Sequence, residues 1–123
     1  MSNNELPSQD IKILTKIHSI LYNIGGTPSY VGMRQLAYGA LIAYRSPESI
    51  TLITKYIYPD VAKHYHTTIS AVERNMRYFI ESMYINNPRK INAFMGYECI
   101  CKPTNTQFIY AIVNRLRLLN GNI

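Results

Sequence analysis

The sequence lacks what most enzymes and secreted domains require. Its two cysteines, Cys99 and Cys101, lie one residue apart in a chain of 123. That spacing is too short for a comfortable structural disulfide. No signal peptide precedes them, so reduced thiols in a cytoplasm are the expectation. A zinc set can be written down from Cys99, Cys101, His64 and His66, but pairs separated by a single residue do not have the usual zinc spacing, and no metal is expected. No apolar run approaches the roughly 20 residues of a membrane span. There is no Ser/His/Asp set and no pair of carboxylates in a shared setting. Gly25-Gly26-Thr27-Pro28 has neither the glycine spacing nor the lysine of a phosphate-binding loop, and reads as a turn. No enzyme and no cofactor are expected. Repeats, heptads and low-complexity tracts are absent as well.

Acidic residues are also scarce, 7 against 13 lysines and arginines, for a net charge of +6. The excess is uneven. Residues 1–54 hold four basic and three acidic residues, a net +1, whereas residues 55–123 hold nine and four, a net +5. A basic half suits a polyanionic partner through release of counterions from phosphates, although charge alone says nothing about fold. Hydrophobic residues make up 47%, enough for one core, and eleven tyrosines make much of it amphipathic. The length suits a single domain at 10–123 behind a loose polar segment at 1–9.

Helical periodicity runs through most of the chain. Ile11, Leu14, Ile17, His18, Leu21 and Ile24 form a first helix stopped by Gly25-Gly26. His18, on or beside that stripe, reads as a boundary histidine rather than a catalytic one. Tyr30 to Tyr44 is a second helix, with Val31, Leu36, Ala37, Ala40, Leu41 and Tyr44 as candidates for burial. Its Gly32, Ala37, Gly39, Ala40 and Ala43 suggest close packing, although glycine lowers helicity. Ser46-Pro47 reads as an N-cap and first helical position. The helix it opens, through Ile50, Ile53 and Ile57, should break at Tyr58, because proline disfavours helical geometry in the residue before it. Asn86-Asn87-Pro88 restarts a short helix from Arg89 to Met95, ended by Gly96. Arg89 and Lys90 there either touch phosphate or form a solvated basic turn. Tyr97 to Cys101 reads as loop. Thr104 and Gln107 have capping-box spacing and open a last helix with Phe108, Ile109, Ile112, Val113, Leu116 and Leu119 on its inner face. Arg115 and Arg117 fall in its last turns, where the dipole favours cations.

The rest of the chain is organised around Tyr58 to Met83. Pro59 and Asp60 suit a helix start, and Val61, Ala62 and Tyr65 give it a short buried stripe. His66-Thr67-Thr68 interrupts the pattern with capping hydroxyls. The next helix could start there or at Ser70, which has capping-box spacing to Glu73. Ile69, Val72, Met76, Phe79, Ile80 and Met83 then make one apolar face. The opposite face offers Ser70, Glu73, Arg74, Arg77, Tyr78 and Glu81. A helix-turn-helix protein needs such a pair, with the second helix held by its apolar stripe while polar residues enter the major groove. Arginine can bond bidentately to guanine and glutamate can accept from cytosine. The plainer alternative is a solvated face of i,i+4 pairs such as Glu73 with Arg77.

The run from Leu52 to Lys63, with Thr67-Thr68, Val72-Glu73-Arg74 and Arg77, resembles the DNA-binding effector domain of the master sporulation response regulator of endospore-forming bacteria. Ile17-His18 and Ile24-Gly25 upstream, and Phe94 to Tyr97, Lys102 to Asn105, Phe108-Ile109 and Arg115 to Leu118 downstream, are similar to it too. The likeness covers roughly residues 11–119. It implies an all-α, compact bundle of about six helices containing a helix-turn-helix, which binds short boxes of double-stranded DNA, commonly as a homodimer on tandem sites. Base reading carries over to Ser70, Glu73, Arg74, Arg77 and Tyr78. Backbone contact carries over to Lys63, Thr67, Thr68, Lys102, Thr104 and Asn105. Ala71 stands where the family usually has arginine, and Tyr78 where it usually has histidine. In the family the effector follows a phospho-accepting receiver; 123 residues have no room for both, so phosphorylation is not expected to switch this chain. The leading expectation is a sequence-specific transcription regulator. The other is an interaction module that reads DNA poorly and binds RNA polymerase, through its sigma subunit, or a full-length regulator.

Overall fold

The computed structural model describes residues 6–119. The expectation of a loose segment at 1–9 falls partly on residues 1–5, which lie outside the described residues; Ser8 and Gln9 already belong to a helix. The order is α1 (Ser8–Asn23), α2 (Val31–Arg45), a 3-10 turn (Pro47–Leu52), α3 (Ile53–Tyr56), α4 (Tyr58–His64), α5 (Ile69–Asn86), α6 (Pro88–Met95) and α7 (Asn105–Leu119). Among the described residues there is no strand, and the chain is all-α with seven helices instead of about six. No described helix is long and apolar enough to cross a membrane.

The extra helix arises in the stretch 47–57, expected as one helix. The Ser46 side chain makes no cap. Its carbonyl instead accepts from the Ser49 amide at 2.9 Å and from Ser49 Oγ at 2.6 Å. Bonds closing over three residues wind a 3-10 turn, which is followed by the single turn of α3. The break falls at Ile57, not Tyr58, which is itself the first residue of α4. A helical proline clashes with the carbonyl four residues back; for Pro59 that is Lys55, so α3 is the helix that ends.

Helix α5 packs against α2, α4, α6 and α7, most extensively against α2. Val72, Met76, Phe79, Ile80 and Met83 point into the core, where Phe79 meets Tyr30 and Phe108 edge-on. The small residues of α2 are all buried, as the close-packing reading requires. Gly32 is the tightest point. A Cβ there would fall on the Asn75 carbonyl of α5 and press on Phe79 Cβ. One hydrogen bond reinforces this crossing, from Asn75 Nδ2 to the buried Gln35 Oε1 at 3.2 Å.

The predicted stripes overshoot at helix ends. Val31, Ile69 and Leu119 are exposed, and each is the first or last residue of its helix. Periodicity continues there after the neighbouring helix has run out. Tyr44 and Tyr65 are half-buried, and Tyr65 donates its hydroxyl to the Arg34 carbonyl at 3.1 Å. Gly25 (φ +103) stops α1 and Gly96 (φ +87) stops α6, both in the left-handed region that favours glycine.

Candidate nucleic-acid interface

Helices α4 and α5 pack on each other and are joined by the four residues 65–68. The Thr67 amide donates back to Ala62 O at 2.9 Å, closing α4, and His66 takes φ +53 to turn the chain. Thr68 is extended, and its Oγ1 accepts from the Ala71 amide at 3.1 Å. This cap starts the helix at Ile69, so the alternative start at Ser70 is not used. Thr67, Thr68, Ser70 and Arg74 are all exposed around this end of α5. The first turn carries no acid, which leaves the positive end of the dipole open to an anion.

One turn further on, the outer face is engaged with itself. Arg77 donates from Nε to Glu73 Oε2 at 2.9 Å and from Nη2 to Oε1 at 3.5 Å. Its Cζ lies 5.2 Å from the Tyr78 ring centroid, a cation-π contact. The hydrogen bond that Arg77 donates to Glu73, together with the charge of that carboxylate, holds the Arg77 pKa above the ordinary value. Tyr78 is 54% exposed. Arg74 has no such partner among the described residues, and its side chain is exposed.

The loop before α7 comes alongside. Lys102 Nζ is 3.5 Å from Glu81 Oε2 on α5. Thr104 and Gln107 cap reciprocally, the Thr104 amide to Gln107 Oε1 at 3.0 Å and the Gln107 amide to Thr104 Oγ1 at 3.1 Å. Glu73, Arg77, Lys102 and Thr104 therefore line one groove of about 280 Å³. Two groups of residues from distant parts of the sequence, Glu73 and Arg77 expected at base edges and Lys102 and Thr104 expected at the backbone, meet across it. Lys63 is exposed on α4 and lies outside this groove.

Asn105 requires a correction. It was grouped with the backbone contacts, but its side chain is turned inward and buried. Nδ2 donates to Tyr58 Oη at 2.8 Å and to the Glu73 carbonyl at 3.1 Å. One amide thus ties the first residues of α4 and α7 to the Glu73 turn of α5. Burial raises the Tyr58 pKa, and the Asn105 hydrogen bond partly opposes this. Sequence reasoning missed this clamp because a helix-opening Asn after a capping Thr looks like any solvated first turn. The only signal, Tyr58 beside Pro59, pointed to a chain break.

Cys99 and Cys101 are free thiols. Among the described residues no three His, Cys, Asp or Glu side chains are grouped to hold a metal. The Cys99 amide donates to Asn92 Oδ1 at 2.9 Å and its carbonyl accepts from Tyr84 Oη at 3.1 Å, which pins the loop after α6. Burial pushes the Cys99 thiol up, away from the thiolate.

Residues 17–116, from within α1 to the last turn of α7, match the family described as Sporulation initiation factor Spo0A C terminal. With that match across an all-α bundle, this chain belongs to the Spo0A C-terminal family, the DNA-binding effector domains of sporulation regulation.

Proposed function

We propose that this chain is a sequence-specific regulator that docks α4 and α5 on duplex DNA as a helix-turn-helix, with α5 in the major groove. The observation that carries the reading is the convergence of Glu73 and Arg77 with Lys102 and Thr104 on one groove, next to the exposed Arg74 and the open end of α5. Arg74, Arg77 and Glu73 read base edges, with Ser70 and Tyr78 beside them. Thr67, Thr68, Lys63, Lys102 and Thr104 set the register on phosphates, contacts that orient without reading. Asn105 acts by holding α5 and the loop in fixed relation.

Glu73 and Arg77 enter the groove as a pre-formed pair. The carboxylate holds the guanidinium fork in plane, so less side-chain freedom is lost when it meets guanine. The same pairing, with Tyr78 exposed beside it, also favours a second reading. A face whose arginine is already satisfied and which presents a bare aromatic suits a protein interface.

A salt-dependent titration on a sporulation-type box and a scrambled duplex separates the two. Preference for the box of about a thousandfold or more marks a specific regulator. Equal, weak and steeply salt-dependent binding to both duplexes marks phosphate contact alone and favours the protein interface. Arg74→Ala is expected to cost about 1–3 kcal/mol at one base pair and relax choice there. Lys102→Ala is expected to weaken every sequence alike with a shallower salt slope. An Arg74→Ala protein with unchanged affinity and selectivity contradicts the reading.

A further inference from the structure

Away from α4, α5 and the Lys102 loop, a second groove of about 400 Å³ opens between α1, α6 and α7. Its floor is apolar, formed in part by Ile20, Ile24 and Phe94, all buried. Lys16, Lys90 and Arg115 line it, one from each helix, and no Asp or Glu does. Arg115 is fixed in place. Its Nη2 donates to the Phe94 carbonyl at 3.3 Å and its Cζ lies 5.7 Å from the Phe94 ring centroid. Neither Arg115 nor Lys90 has a carboxylate partner among the described residues, where the ion pairs engage Asp10, Glu73 and Glu81.

Lys90 and Arg115 bring positive charge without a carboxylate partner to one apolar concavity, and its low-dielectric walls focus their field into it. An anion is the species that such a field favours. Its head would meet an arginine fork already immobilised, suited to donating two parallel hydrogen bonds to a carboxylate or phosphate, and a lysine point charge beside it. Ser19 and Asn23 add hydrogen-bonding groups at the same wall. The volume lies in the range of small-molecule sites that are mostly apolar with a few placed polar groups. A duplex phosphodiester brings charge without an apolar body, so it leaves the floor unused.

We infer that this groove is a binding site for a small amphipathic anion, a carboxylate or phosphate head on an apolar chain. This goes beyond DNA reading and does not depend on it, since no lining residue belongs to α4, α5 or the Lys102 loop.

The test is an amide-resolved NMR titration of the DNA-free chain with octanoate and octyl phosphate. Octanol and inorganic phosphate serve as the apolar and anionic halves alone. At least one amphiphile is expected to bind saturably, shifting amides at Ile20, Ile24 and Phe94, at least tenfold tighter than either half. Which of the two binds better identifies the head group. Lys90→Ala, at an exposed position, is expected to weaken the binding about tenfold, and Arg115→Met more. Should Arg115→Met fail to fold, Lys90→Ala alone decides. Octanol binding as tightly as the anions, absence of saturable binding, or affinity unchanged by Lys90→Ala overturns the inference.

Discussion

Two of its neighbours, α2 and α7, hold helix α5 in opposite ways. Against α2 the contact depends on a missing side chain: Gly32 lets the backbone of one helix meet the Asn75 carbonyl of the other. Against α7 it depends on a side chain that is present and buried, Asn105, with Tyr58 and the Glu73 carbonyl as its partners. The first contact is steric and tolerates nothing added. The second is polar and tolerates nothing removed. Both act on the same stretch of α5, from Glu73 to Asn75, which is the stretch that carries the proposed reading face. The position of that face is thus set by one glycine and one asparagine, neither of which faces outward.

The largest effect is expected from Gly32→Ala. Its Cβ would meet backbone, which cannot swing away, and such overpacking costs about 3 kcal/mol. Urea unfolding that shows a loss below about 1 kcal/mol would mean that α2 slides freely on α5, and the steric half of the comparison fails.

Asn105→Ala comes next. It leaves the buried Tyr58 Oη without its donor and the Glu73 carbonyl with its intrahelical bond alone, a desolvation cost of about 1–3 kcal/mol. Pairing it with Tyr58→Phe in a double-mutant cycle should recover part of that loss, because the stranded hydroxyl is then gone too. Strict additivity of the two substitutions would show that the clamp is not one unit.

Gly39→Ala sharpens the steric side. It lies on the same helix, but its Cβ would meet Ile57 Cγ2 at 3.2 Å and Met76 Cε at 3.3 Å, the ends of side chains. The helix-propensity gain of about 1 kcal/mol should roughly cancel the crowding, leaving stability within about 1 kcal/mol of the parent. A loss as large as that of Gly32→Ala would mean that general tightness matters, and not contact with backbone.

The smallest effect is a slope at alkaline pH. Tyr65, hydrogen-bonded to α2, and Tyr58, clamped to α7, both have pKa values raised, by burial first. The folded state therefore holds these protons more tightly than the unfolded chain. The stability this contributes is fully present below the unfolded tyrosine pKa of about 10 and is lost as pH rises through the folded values. Urea midpoints measured from pH 8 upward should fall above that point, and Tyr65→Phe and Tyr58→Phe should each flatten the fall. A parent midpoint that stays level across this range would contradict the burial of both phenols.

Helix existence was legible wherever an apolar stripe met a strong start or stop: α1 at Gly25-Gly26, α6 at Gly96, and α7 at its opening Thr104–Gln107 capping box. The stripes misled at helix ends, as at Val31, Ile69 and Leu119, because periodicity does not record where a neighbour stops, and within α1, where Ile11 is exposed and Ile13 and Ile20 are buried instead. The stretch 47–57 failed for a different reason. Ser46-Pro47 is as good an opening for a 3-10 turn as for an α-helix, and Ser49, which decides between them, bonds to a carbonyl three residues back. The small residues of α2 announced a close approach but not which one met backbone. Of the proposed interface, the polar face of α5 and Lys102 before the α7 capping box were both visible.

What the sequence by itself determined is the set of local structures and the chemistry on offer: the amphipathic α5, its threonine cap, the basic second half and the capping box that opens α7. Those follow from periods and spacings of a few residues. Only the tertiary structure decided that Lys102 stands beside Arg77, that Asn105 turns inward to Tyr58, and that Lys16, Lys90 and Arg115 share one groove. Those residues are separated by 25 to 99 positions, and a pattern read over one or two helical turns carries no information about which distant surfaces the core will bring together.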